Sequence, residues 1–113
     1  MQAAATTLKA SSDFQRLSRL GKKWTTPSFV MLALARDDAY LPARLGLTVS
    51  RKVGNAVVRN RTKRRLRAMA HDTCAVLHGF DIILIARAME AERDMALLRE
   101  DFLQGLKKLG VLA

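Results

Sequence analysis

The sequence predicts an α+β domain built on one mixed sheet, and three observations carry that reading. Ser28–Ala35 and Phe80–Arg87 are nearly continuous apolar runs, too short for buried helices and rich in strand formers. Arg44–Ser50 alternates, with Leu45, Leu47 and Val49 pointing one way and Gly46, Thr48 and Ser50 the other. Around these, helical spacing recurs in three separate segments. The predicted order is helix-strand-strand-helix-strand-helix in a single domain spanning residues 1–113, with an ordered core of about residues 8–109.

The first helix is announced by Ser12-Asp13-Phe14-Gln15, a capping box with Ser12 as the N-cap. Phe14, Leu17 and Leu20 then share one face, and Gly21 is the stop. Gly21–Pro27 reads as a turn-rich connection into the first strand. Asp37, Asp38 and Pro42 mark a loop to the second strand, and the shortness of that loop suggests an antiparallel hairpin. Asn55 is the expected N-cap of a helix running from about Ala56 to Asp72 or beyond. On a wheel of about 100° per residue, Val58, Thr62, Leu66, Met69 and Thr73 fall in one narrow apolar arc. Cations fill most of the remaining circumference. The Ile82–Ile85 run is the expected central strand, buried on both faces. Glu90–Leu109 is the last helix, with acids at its start, Lys107 and Lys108 at its end, and Gly110 just past it.

At 113 residues the chain can bury one modest core without disulfides, and at 5% aromatic content that core must be aliphatic. The one cysteine, Cys74, excludes an internal disulfide framework. The longest strictly apolar run, Phe29–Ala35, is far short of the roughly 20 residues that span a bilayer. Met1–Lys9 shows no basic region followed by an apolar stretch, so no signal peptide is read and a cytoplasmic location is expected.

The net charge of +10 is unevenly placed. Met1–His71 carries fifteen basic and three acidic residues, whereas Asp72–Ala113 carries five and seven. No acid occurs between Ala39 and His71, while Arg44, Arg51, Lys52, Arg59, Arg61, Lys63, Arg64, Arg65 and Arg67 accumulate. Like charges repel, and a concentrated block without acids points to a polyanionic partner rather than a solvated face.

Groups for protein catalysis are sparse. His71 and His78 lie too far apart to share a metal on one helix face, and Cys74 reads as a small buried hydrophobe. Asp37-Asp38 reads as a solvated turn, and Lys52-Val53-Gly54-Asn55 has too little glycine to cradle a phosphate as a Gly-rich loop does. No catalytic residue and no protein metal site is assigned. Arg59, Lys63 and Arg67 instead repeat every four residues as a ladder suited to successive phosphates. Asn60 adds an amide for a base edge or a 2′-hydroxyl. Phe14 is either a core residue or a platform for a stacked base, and Thr48 and Ser50 would complete a groove with the basic helix. These features predict a nucleic-acid-binding module, with RNA ahead of DNA. A DNA regulator is disfavoured because strands, not a second helix, flank the basic helix.

The segment Leu45–Arg67, LGLTVSRKVGNAVVRNRTKRRLR, closely resembles the signature of the bacterial ribonuclease P protein component. The Arg-Asn-Arg triplet at 59–61, followed by Lys63, Arg64 and Arg67, is its most specific part. Ser12–Gly21 and the Gly-aromatic-Asp-Ile segment within Gly79–Arg87 extend the resemblance over almost the whole chain. The resemblance implies a left-handed βαβ crossover and the small protein subunit of a ribonucleoprotein endonuclease. In that assembly the RNA subunit, using Mg²⁺, removes the five-prime leader of precursor tRNA. It implies Arg59, Asn60, Arg61, Lys63, Arg64 and Arg67 as contacts to the catalytic RNA. It implies Phe14, Val30, Thr48, Ser50, Arg51 and Lys52 as the leader cleft, set between the first helix, the sheet and the second helix. Ser18 and Leu32 depart from the family, which commonly carries rings there, so leader binding should rest more on phosphate contacts. The alternative is a general RNA-binding or ribosome-associated domain with no role in tRNA cleavage.

Overall fold

The two apolar runs lie side by side as antiparallel strands, with Phe29–Ala35 paired to Ala86–Phe80 in continuous register. The structure is a computed structural model and describes residues 6–8, 11–88 and 93–112. Along the chain these form β1 (Thr6–Thr7), α1 (Ser11–Leu20), β2 (Lys22–Thr25), β3 (Phe29–Ala35) and β4 (Arg44–Thr48). A 3-10 turn (Arg51–Val53), α2 (Ala56–Val76), β5 (Phe80–Ala86) and α3 (Met95–Lys108) follow. The sheet order is β1-β4-β5-β3-β2, with β4 parallel to β5 and to β1, so the sheet is mixed. β5 is the central strand, as its unbroken apolar run predicts. The class is α+β.

Several boundaries differ from expectation. β3 and β4 do not form a hairpin, because β5 lies between them. The continuous run of β5 gains more from two covered flanks than either neighbour would, and the loop after β3 is long enough to let β4 pass. Gly21–Pro27 is not simply a turn: Lys22–Thr25 pairs with β3 as the edge strand β2, where Lys22 and Lys23 discourage further pairing. β4 ends at Thr48, two residues early. α1 starts at Ser11, so Ser12 lies inside it rather than capping it. α3 starts at Met95, capped by the Asp94 carboxylate accepting from the Ala96 amide; the Glu90 and Glu92 part of that expectation lies outside the described residues.

The sheet separates two apolar layers. On one side Phe29, Met31, Leu45, Ile82 and Leu84 meet Leu66, Met69, Ala70 and Cys74 of α2 and Leu98, Phe102 and Leu106 of α3. The rings of Phe29 and Phe102 meet edge to face, 6.5 Å between centroids. α3 approaches this layer so closely that a Cβ on Gly105 would lie 2.9 Å from Met31 Cε. On the other side the layer is small: Leu8, Leu17, Leu32 and Ile83, with Phe14, Leu34 and Ile85 packed at its border.

Candidate nucleic-acid interface

Strand alternation and register order the α1 side of the sheet into cross-strand rows. One row is Leu34, Asp81 and Arg44, the next Leu32, Ile83 and Gly46, and the third Val30, Ile85 and Thr48. α1 covers the middle row, where Leu17 packs on Leu32 and Ile83. The third row stays half-open along its length, and Thr25 on β2 continues it at the edge. Phe14 is half-buried beside it, its ring supported by the small apolar layer. The floor is therefore a strip of short apolar and hydroxyl side chains with one aromatic at its border. Such a strip accepts a stacked base on its apolar part and a hydrogen bond from a sugar or base at Thr48.

Past Thr48 the chain continues through exposed Ser50 into the 3-10 turn, which carries exposed Arg51 and Lys52 at the end of the groove. Gly54 follows at φ +155°, where a Cβ would strike Val58 at 2.8–2.9 Å; glycine lets the backbone turn tightly into α2. Asn55 caps the helix, its side-chain oxygen accepting from the Val58 amide at 3.0 Å.

α2 is about 31 Å long, against about 23 Å for the seven residues of β5. The surplus projects at its N-terminal end. The first fully buried residue is Leu66, ten positions into the helix, while Val57 is 67% and Val58 37% exposed. The predicted apolar arc is thus displaced: the buried stripe is Leu66, Met69, Ala70 and Cys74, and Val58 lies outside it. Asn60, Arg61 and Arg64 are exposed on the projecting half and Arg67 just past Leu66, whereas Arg59 and Lys63 are half-buried. Arg65 is turned away from this surface and donates to the Arg93 carbonyl. The first turn holds no acid and ends in Arg59, with Arg51 and Lys52 just ahead of it, so cations stand at the positive end of the helix dipole, which disfavours them. An anionic ligand relieves that repulsion.

α2 does not face the strand surface that carries Thr48. It packs on the opposite side, against Leu45 and Leu47, so Thr48 and the basic helix are not the two walls of one groove as the alternation suggested. They meet at the sheet end, through Ser50, Arg51 and Lys52. Leu32 is buried beneath α1 rather than lining the open row, while Ser18 is exposed. The ring missing at Ser18 is therefore the departure that bears on the open row.

Two features were not foreseen. Ile85 forms the middle of the groove floor, but an unbroken apolar run conceals which of its residues stays open. The other is the buried carboxylate of Asp81, whose one signal was a charge at the start of that run. Arg44 Nε donates to its Oδ1 and Arg44 Nη2 to its Oδ2, both at 2.6 Å, and Arg16 Nη2 donates to Oδ2 at 2.6 Å. Arg36 Nε stands 3.8 Å from Oδ1. Burial pushes the Asp81 carboxyl up, but the hydrogen bonds and charges of Arg44 and Arg16 together outweigh it and hold the group below its ordinary value. Cys74 is buried, which pushes its thiol up to about 12, and His71 and His78 are exposed.

Fold and surface together define a small basic α+β protein, with a cationic helix projecting past a sheet whose far face keeps one open groove. The family model for Ribonuclease P matches residues 3–110. The ribonuclease P protein component of Gluconacetobacter diazotrophicus is 44% identical over 106 residues, covering 92% of this chain and 90% of that one. That of Streptococcus agalactiae is 33% identical, covering 93% and 94%. Among solved structures, the Staphylococcus aureus RNase P protein superposes with a TM-score of 0.80 at 30% identity, covering 96% of this chain and 99% of that chain. The Thermotoga maritima RNase P protein gives 0.76 at 33% identity, covering 90% and 96%. The chain belongs to the ribonuclease P protein family. A protein component of this family is part of an endoribonuclease.

Proposed function

We propose that the chain is the protein subunit of a bacterial ribonuclease P, binding both the catalytic RNA and the five-prime leader of precursor tRNA in the cytoplasm. The observation that carries this reading is the division of labour within the basic block. Arg59, Asn60, Arg61, Lys63 and Arg64 sit on the projecting half of α2 and Arg67 on its exposed side just beyond, and these residues are assigned to the RNA subunit. Phe14, Val30, Thr48 and Ser50 border or continue the open row, with Arg51 and Lys52 at its end, and are assigned to the leader. In this arrangement the 3-10 turn joins the two surfaces, so that one RNA and the strand it cuts are held at fixed separation.

The chemistry is assigned to the RNA, with Mg²⁺ activating water for phosphodiester hydrolysis. Among the described residues no three His, Cys, Asp or Glu side chains converge. What the protein supplies is positive charge and a leader track. Both raise substrate affinity and lower the Mg²⁺ needed to counter phosphate repulsion.

The test is cleavage of precursor tRNA by bacterial ribonuclease P RNA at low Mg²⁺ and moderate salt, with and without the protein. Cleavage at the mature five-prime end should require the protein, and protein alone should cut nothing. Binding of precursor tRNA without stimulation would favour the general RNA-binding alternative. Cutting by protein alone would move the chemistry onto the chain.

A further inference from the structure

α1 is held on the sheet by few apolar contacts: Leu17 is its one fully buried residue. Its polar anchor is Asp81, whose side chain is 1% exposed and which gathers guanidinium groups from three parts of the fold. Arg44 comes from β4 and grips both carboxylate oxygens. Arg36 comes from the end of β3, its Nη1 also donating to the Pro42 carbonyl at 2.7 Å. Arg16 comes from α1 and additionally touches Asp13 Oδ1 at 3.3 Å. Arg16 and Arg44 remain 34% and 28% exposed, so the cluster is reached from the surface although its carboxylate is not.

The spacing along α1 gives this contact a direction. At about 100° per residue, Arg16 stands about 100° to one side of Leu17, and Phe14 about 60° to the other. Ser18 lies further round on the Phe14 side. The rows of the sheet repeat that order: Asp81 and Arg44 on one side of the row beneath α1, the open Val30–Ile85–Thr48 row on the other. Arg16 therefore pulls on the flank opposite the groove. Its tether resists a roll about Leu17 that would lift or lower the Phe14–Ser18 flank against the groove floor.

We infer that Asp81, through Arg44 and Arg16, is a positioning residue for leader binding: it fixes the roll of α1 and so the opening between Phe14 and the Val30–Ile85–Thr48 row. This rests on the leader reading given above. Asp81 touches no leader in this account, and its effect passes through α1.

The experiment uses holoenzyme assembled with bacterial ribonuclease P RNA, and precursor tRNAs carrying either a leader long enough to cross the groove or a single leader nucleotide. Arg16→Met keeps the aliphatic stem and removes the contact. It should weaken binding of the long-leader substrate about tenfold, the scale of losing one base stack, and leave the one-nucleotide substrate and the affinity for the RNA subunit unchanged. Arg16→Lys should recover most of the loss. Combined with Phe14→Ala, Arg16→Met should add little to the effect of either change alone, because both act on one opening. Asp81→Asn should behave as Arg16→Met does; if it fails to fold, Arg16→Met decides the matter. Equal weakening of both substrates, or effects of Arg16→Met and Phe14→Ala that multiply, would overturn the inference.

A second readout does not depend on the leader. Nitroxides on Ser18→Cys and Thr25→Cys, both exposed sites, report the α1-to-groove distance, and buried Cys74 stays unlabelled. Arg16→Met should broaden or shift that distribution, and an unchanged distribution would overturn the inference. If the wild-type holoenzyme shows no leader-length dependence while the distance still shifts, the leader reading is what fails.

Discussion

The two faces of the sheet are made from the same three strands and do different work. On the α2–α3 side, Phe29, Met31, Ile82 and Leu84 are sealed under two helices. On the α1 side, a ten-residue helix covers the middle row and leaves Val30, Ile85 and Thr48 half-open. α2 repeats the contrast along its own axis: its second half is packed, and its first half projects with its cations. Stability is concentrated where shape is closed, and the ligand-directed groups stand where packing is given up. This separation allows charges that repel one another and oppose the helix dipole to persist in a stable domain.

The contrast breaks most clearly with Met69→Ala. Met69 is 1% exposed in the larger layer, and its truncation should cost about 2–5 kcal/mol in urea unfolding, the range for a cavity in a closed core. A loss below about 1 kcal/mol would mean that the packed half of α2 is not the stabilising one. On the other face Asp81→Asn should cost about 1–3 kcal/mol at neutral pH, because it removes the charge and one of the two acceptor oxygens to which Arg44 and Arg16 donate. The sign with pH follows from the depressed folded-state value. The stability owed to ionised Asp81 is complete above the ordinary 3.8 and fades as pH falls through the lower folded value. Unfolding curves for the wild type and Asp81→Asn should therefore stay parallel from neutral pH to about 5 and converge below 3.8.

Adding to the open face is the converse test. Ser18→Phe places a ring one turn from Phe14, and should tighten leader binding by up to about 1–3 kcal/mol with little change in unfolding. Unchanged or weaker affinity in a leader-length titration would show that the groove does not use ring surface. In the projecting half of α2, Asn55→Ala removes the cap from a segment with few other supports, and should cost about 1 kcal/mol. Amide exchange should then rise over residues 56–62 and not over the packed half. Arg64→Ala should leave unfolding within about 0.5 kcal/mol. Its effect should appear in binding to the RNA subunit, where the slope of log affinity against log salt should become shallower by about 0.7–0.9. A stability loss without a change in slope would assign Arg64 to the fold.

Much of this was legible residue by residue. Asn55 announced its cap, the Arg-Asn-Arg segment its helix, and Ile82–Ile85 its central place in the sheet. Each of these signals is local, set by a turn, a period or a run within a few residues. Strand partnership was not legible: proximity in sequence suggested that β3 pairs with β4, and β5, some forty residues on, came between them. Nor was the use of each face, because Ile83 and Ile85 are chemically alike and differ in what lies above them. The buried stripe of α2 was displaced from the apolar arc for the same reason, since Ala70 and Cys74 gain their place from the sheet beneath.

The sequence by itself determined the class, the elements and the concentration of charge, because periodicity, caps and composition act within short stretches of chain. The tertiary structure alone decided that α1 leaves one row uncovered, that the basic half of α2 clears the sheet, and that Asp81 ties Arg16 to Arg44. Those outcomes depend on lengths and offsets between distant segments: a helix longer than the strands it crosses, a helix too short to cover its sheet, and a carboxylate buried where three cations converge.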